Sequence, residues 1–141
     1  MKVSENFSLQ EFVPKDVYQQ YGNMSIWFVD KRIITISQWL RDKLGKPVKI
    51  NDWVEGGQYK ESGFRNFDTG TGAKRSQHKF GRAADIKVAG YEGEELRQIV
   101  RDNFPELKLL GLTTIEKNTP TWVHIDCRYT DLSVLLEVNY K

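Results

Sequence analysis

Two histidines, His78 and His124, are the only ones among 141 residues, and each lies close in sequence to a carboxylate. The first sits in Ser76-Gln77-His78-Lys79-Phe80-Gly81-Arg82-Ala83-Ala84-Asp85. Gly81 permits a turn that can bring His78 and Asp85 together, and the two alanines keep bulk away from them. The second sits in Thr121-Trp122-Val123-His124-Ile125-Asp126-Cys127-Arg128. Alternation there puts Trp122, His124 and Asp126 on one strand face and Val123, Ile125 and Cys127 on the other, apolar one. His78, Asp85 and His124 make three nitrogen and oxygen ligands, a set that zinc accepts while keeping a fourth position open for water. Such a centre polarises a carbonyl and activates water, which suits amide hydrolysis. Spacing alone leaves a second reading open, in which these are ordinary structural histidines.

Other elements must carry these segments. Ser8 and Glu11 have the capping-box spacing of a short helical turn, with Phe7 and Phe12 as its staple, and a second short helix or turn runs to Tyr21 and closes at Gly22. Ile26, Val29, Ile33, Ile36, Leu40 and Leu44 predict one core helix from Ser25 to Leu44, capped by Ser25 and ended by Gly45 and Pro47. Val48 to Trp53 reads as a strand. A long connection rich in glycine follows over residues 54–75, the type of loop that is functional or mobile in a small domain. Ala83 to Val88 reads as a strand with Asp85 and Lys87 on one side and Ile86 and Val88 toward the core. A helix is expected from Gly93 to Asn103, strands over Leu107–Ile115 and Thr121–Arg128, and no definite type for Leu132–Leu136. This order predicts one α+β domain over residues 1–141, with a small antiparallel sheet and helices packed on one side.

Composition narrows the function. Lys and Arg number 21 against 19 acidic residues, a net charge of +2. That balance argues against nucleic acid as partner, although Lys74, Arg75, Lys79 and Arg82 would be the residues to serve it. No apolar run approaches the roughly 20 residues of a membrane span, and the N-terminus lacks the apolar region of a signal peptide. The single cysteine, Cys127, has no internal disulfide partner and reads as a core thiol.

Ser76-x-His78-x-x-Gly81-x-Ala83-x-Asp85, with Trp122-Val123-His124-Ile125-Asp126 far downstream, resembles the signature of zinc D-Ala-D-Ala carboxypeptidases. Their relatives in the peptidase M15 group are phage L-alanyl-D-glutamate endopeptidases, and the fold is shared with the hedgehog signalling domain. Phe7-Ser8-Leu9-x-Glu11-Phe12, the segment from Leu40 to Ile50, and Ser62-Gly63-Phe64-Arg65 look like the corresponding family segments, so the likeness covers roughly residues 7–128. It implies a zinc ion on His78, Asp85 and His124, and a substrate-binding role for Arg65, with Trp122 as a groove-shaping candidate or a cover for the metal. Several relatives place a general base three residues before the last histidine, where this chain has Thr121. Glu116 and Asp126 are the two carboxylates that can substitute as the catalytic base. The expected function is cleavage of peptidoglycan stem peptides, by a monomer made as a phage or prophage protein in the bacterial cytoplasm and acting on the cell wall. The alternative is a catalytically silent zinc-binding module of a phage or prophage.

Overall fold

A strip of apolar side chains at helical spacing, Ile33, Ile34, Ile36 and Leu40, needs an apolar sheet face to cover it, and strands of alternating pattern supply one. The computed structural model describes residues 1–140. Four α-helices, α1 (Lys15–Tyr21), α2 (Lys31–Leu44), α3 (Gly93–Asp102) and α4 (Phe104–Leu109), accompany five strands. These are β1 (Val48–Lys49), β2 (Ala83–Val88), β3 (Thr114–Lys117), β4 (Val123–Asp126) and β5 (Leu136–Asn139). Their order across the sheet is β1-β2-β4-β3-β5. All pairings are antiparallel except that of β5, which runs parallel to β3. The chain reverses after β4, and β3 lies between β4 and β5, so β5 shares the direction of β3.

The two sheet faces have opposite chemistry. Ala84, Ile86 and Val88 of β2 join Val123 and Ile125 of β4, and Cys127 just beyond it, in one buried cluster with α2, Leu96 and Val100 of α3, and Leu107 of α4. Burying each such Leu, Ile or Val side chain contributes about 1.5–3 kcal/mol before chain entropy is counted. The opposite face carries Asp85, Lys87, His124, Asp126, Thr114 and Glu116. The register sets Asp85 directly across from His124 and Thr114 across from Asp126. Continuing it places Glu116 opposite His124. The α+β class with a small sheet and one-sided helices is therefore present, with one parallel strand added to it. The expected domain runs to Lys141, which lies outside the described residues.

Four local expectations need correction. The core helix does not begin at Ser25: residues Gly22–Phe28 form a 3₁₀ turn, and α2 starts after Asp30. Asp30 is the better cap, because its carboxylate accepts from the Arg32 N–H at 2.9 Å and also holds the Arg32 guanidinium, whereas the buried Ser25 hydroxyl is turned to the Val17 carbonyl. The strand from Val48 stops at Lys49, since the Asn51 side chain ties the N-terminal segment to the loop through Val13 O at 3.1 Å and the Ser62 N–H at 2.8 Å. The strand expected from Leu107 is helical to Leu109, started by Pro105 in the first turn of α4. The strand of Thr121–Arg128 is confined to Val123–Asp126. By contrast, Ala83–Val88 is a strand over its whole expected length, and Phe7 meets Phe12 at 5.5 Å between ring centroids. No helix among the described residues is long and apolar enough to cross a membrane.

Candidate metal centre

His78 rides on a 3₁₀ turn, Gln77–Phe80, whose N-cap Ser76 accepts the His78 N–H at 3.3 Å. Gly81 ends that turn at φ 70°, and a β-carbon there would lie 1.8 Å from the Phe28 carbonyl oxygen. Only glycine satisfies both the left-handed backbone and the close approach. The turn directs the His78 Nδ1–H at the Gly63 carbonyl, 2.8 Å away, which leaves Nε2 facing Asp85 Oδ1 at 3.3 Å. His124 is oriented the other way round. Its Nε2 meets Asp126 Oδ2 at 2.8 Å, and its Nδ1 faces Asp85 Oδ1 at 3.1 Å. The two imidazoles stand edge to face, 5.0 Å between centroids.

One ligand atom from each of His78, Asp85 and His124 lies within 4.8 Å of the others. In each ring the nitrogen turned away from this point is occupied, by the Gly63 carbonyl or by the Asp126 carboxylate. The nitrogen turned toward it is then the one that offers a lone pair to a divalent metal, directly at His78 and by giving up its proton at His124, which is the arrangement metal ligation requires of histidine. The residues fit a zinc ion on this ground: two imidazole nitrogens and one carboxylate oxygen converge, and the far side of each imidazole is fixed.

The charges around the point are strongly coupled. Burial opposes ionisation of Asp85, but the His78 and His124 rings beside it hold its carboxyl far below the usual carboxylate range. Burial keeps the His78 pKa below that of a free imidazole. For His124 burial acts in the same direction, yet the hydrogen bonds to Asp126 and Asp85 prevail and raise it to about 9. Asp126 is fully buried; its desolvation is outweighed by His124 and by Arg128, whose Nη2 lies 2.6 Å from Oδ2, and its pKa falls to about 2.

The candidate residues thus separate by position. Glu116 Oε1 lies 3.5 Å from His124 Nδ1, on the side of the converging ligands, and its side chain is 23% exposed. Asp126 lies behind His124, at 0% exposure, with no face toward the ligand point. Arg65 is mostly buried: its Nε–H donates to the Glu61 carbonyl at 2.6 Å and its Nη2 to Asp85 Oδ2 at 3.1 Å. Its Nη1 makes no hydrogen bond among the described residues and lies beside Gly72. Trp122 precedes β4 and packs edge-on against Tyr140 at 5.3 Å, with its indole Nε1 buried and without a partner among the described residues.

Two contributors carried no motif. Arg128 grips Asp126 with Nε at 2.9 Å and Nη2 at 2.6 Å; the Asp-x-Arg alternation of a strand was the available signal. Arg97 of α3, 5% exposed, holds the turn between β3 and β4 through the Thr119 carbonyl at 2.9 Å and the Thr119 hydroxyl. Nothing local marks that contact, which spans residues far apart in the chain.

No curated protein and no solved structure matches the chain. Residues 6–126 match the family described as Peptidase M15. That stretch includes His78, Asp85, Glu116, His124 and Asp126, and it takes in β1 to β4. By this match over most of its length, the chain belongs to the peptidase M15 family.

Proposed function

We propose that this peptidase is zinc-dependent and cleaves the stem peptides of peptidoglycan, as a D-Ala-D-Ala carboxypeptidase or a phage-type endopeptidase. The observation that carries the reading is the convergence of His78 Nε2, His124 Nδ1 and the Asp85 carboxylate with Glu116 beside them. Zinc bound by His78, Asp85 and His124 supplies Lewis acidity toward a carbonyl and lowers the pKa of water toward about 7. Glu116 Oε1 takes a proton from the attacking water as the new C–O bond forms. It returns that proton to the amide nitrogen as the C–N bond breaks. This carboxylate fills the place that Thr121 leaves without an acid.

Asp126 acts on His124 and not on water: it keeps the proton on Nε2, so that Nδ1 stays free, and Arg128 keeps Asp126 ionised. Arg65 steadies Asp85 through Oδ2, and its free Nη1 is the donor for the peptide carbonyl. Trp122, half-buried against Tyr140, shapes the substrate groove or covers the metal. Support for a cell-wall substrate comes from the resemblance of the Ser76–Asp85 and Trp122–Asp126 segments to enzymes of that class. The reading includes one domain over residues 1–141, a monomer, and a phage or prophage protein made in the bacterial cytoplasm.

The test is metal analysis of the purified protein joined to mass spectrometry of purified stem peptides after incubation. One zinc per chain is expected, with hydrolysis abolished by chelation and by His124→Ala. Zinc bound without any cleaved product favours a silent metal-binding module instead. Cleavage that survives both treatments overturns the metallopeptidase reading.

A further inference from the structure

The polar face of β2 continues past Asp85 to Lys87, a residue the chemistry above does not use. The Lys87 Nζ donates to Ser62 Oγ at 2.8 Å and to the Asp85 carbonyl at 3.3 Å, and stands 4.1 Å from the centre of the Tyr59 ring. No carboxylate forms an ion pair with it among the described residues. Asp85 and Asp52, the carboxylates close enough to influence it, are already engaged, Asp85 by Arg65 Nη2 at 3.1 Å and Asp52 by Lys49 Nζ at 3.4 Å and the Tyr59 N–H at 2.8 Å. Lys87 and Tyr59 line a groove of about 800 Å³ that follows the edge strand β1 and reaches Thr121, in the turn before His124. Gln10 lines the same groove, and its Oε1 is buried with no donor among the described residues.

A partly desolvated ammonium without a counter-ion and a buried acceptor without a donor are both costly unless a ligand completes them. A peptide brings the two complements together, a carboxylate for the ammonium and a backbone N–H for the acceptor. A polyanion fits poorly, because Glu11, Asp52 and Glu55 balance Arg41, Lys49 and Lys87 along the groove and leave it no cationic excess. The Lys87 ammonium lies against the backbone of Asp85, and one extended residue spans at most about 3.3–3.6 Å. The matching carboxylate therefore belongs within one or two residues of the cleaved bond.

We propose that this groove is a carboxylate-reading subsite, in which Lys87 pairs with a free carboxylate of the substrate peptide and Gln10 Oε1 accepts one of its backbone N–H groups. The inference rests on the peptidase reading and deepens it. A stem pentapeptide, L-alanyl-γ-D-glutamyl-L-lysyl-D-alanyl-D-alanine, carries two candidate carboxylates, one on the glutamyl residue and one at the C-terminus.

The experiment measures the affinity of that peptide and of its two singly amidated forms by calorimetry. It uses zinc-loaded protein with Glu116→Gln to slow turnover. One amidation is expected to weaken binding about tenfold, and which one does so identifies the source. With Lys87→Met added the three peptides should bind equally, and with Lys87→Arg the discrimination should persist. Equal affinities in the Lys87 protein, or unchanged discrimination in Lys87→Met, overturn the proposal. Should the Met variant fail to fold, acetylation of Lys87 by acetic anhydride gives a second measurement. Bound peptide is expected to slow it about tenfold, and unslowed labelling overturns the proposal. Carboxylate-selective binding by a protein that cleaves nothing leaves this subsite standing and removes the peptidase reading; cleavage without selectivity does the reverse.

Discussion

Replacing Asp126 by Asn tests the division of labour between two carboxylates on one sheet face. Asp126 Oδ2 accepts from His124 Nε2 at 2.8 Å and Arg128 Nη2 at 2.6 Å, while Oδ1 accepts from Arg128 N at 3.1 Å and Nε at 2.9 Å. All four partners are donors, so an amide nitrogen in either position opposes two of them. With the amide oxygen facing His124, the bonds from Arg128 N and Nε are lost while that from Nη2 stays; the Arg128 side chain is 25% exposed, so water recovers part of that loss. With the nitrogen facing His124, the proton moves to Nδ1 and the metal-facing lone pair is lost. Each charge-assisted bond contributes about 1.5–3 kcal/mol, so a fold destabilisation of about 2–4 kcal/mol is expected. Loss of an orienting partner behind a histidine ligand weakens metal affinity roughly 10- to 100-fold, about 1.4–2.8 kcal/mol. At saturating zinc, kcat should recover to within about tenfold of the parent. Glu116→Gln should show the converse: near-parental zinc affinity with kcat down roughly 10²- to 10⁴-fold. Zinc affinity is read by competition with a chromogenic chelator, and kcat by product mass spectrometry at full metal occupancy. The reasoning fails if Asp126→Asn binds zinc normally yet stays inactive, or if Glu116→Gln keeps parental kcat.

Further outcomes follow from the same contacts. Arg97→Met should cost about 2–3 kcal/mol in denaturant unfolding, because the buried Thr119 carbonyl and hydroxyl lose a charged donor. Gly81→Ala should cost about 3 kcal/mol or more and lower zinc affinity, since it imposes strain at φ 70° and a clash with Phe28 on the turn that carries His78. In the metal-free protein His124, raised to about 9, adds stability that is full below about 6.5 and lost as pH rises through 9. Asp126, lowered to about 2, adds stability that is present above about 3.8 and lost as pH falls through 2. His78, lowered by burial, is opposite to His124 and costs stability as pH falls below about 6.5. Lys87, lowered to about 8 by burial, adds stability with rising pH only above that value, so a Tm series on metal-free protein should fall from pH 7 to pH 8. Zinc should flatten that fall, because its binding displaces the His124 proton. A metal-free Tm that rises across this range contradicts the assigned hydrogen bonds.

The positions of His78, Asp85 and His124 were legible because strand alternation and a glycine-ended turn are local properties. Period-two patterning placed Asp85 and His124 on a polar face before any pairing was known, and the observed register sets them opposite one another. What local pattern does not encode is which strands become neighbours. The positions of Glu116 and Asp126 depend on this, for both alternate onto the polar face, and the pairing of β3 with β4 is what sets Glu116 beside His124 Nδ1 and Asp126 at its Nε2. Helix boundaries failed for a related reason. Ser25 has the right chemistry for a cap, but tertiary burial uses its hydroxyl on α1, and Asp30 wins by binding Arg32. Leu107 to Leu109 has strand-like composition, yet Pro105 presets the backbone for a helical turn. Lys87 was placed on the correct face, but its lack of a counter-ion is a property of the folded surroundings alone.

The family match ends at Asp126, whereas β5 and Tyr140 come later in the chain. β3, the strand that carries Glu116, is consequently flanked on its outer side by a segment the family description does not include. Chemistry and border are separable for evolution and for engineering alike. Sequence drift between residues 129 and 140 can remodel the wall beside Trp122 while the three candidate ligands and the Arg128–Asp126 pair behind His124 stay untouched. A truncation there would turn β3 into a bare sheet edge, open to pairing with a second chain.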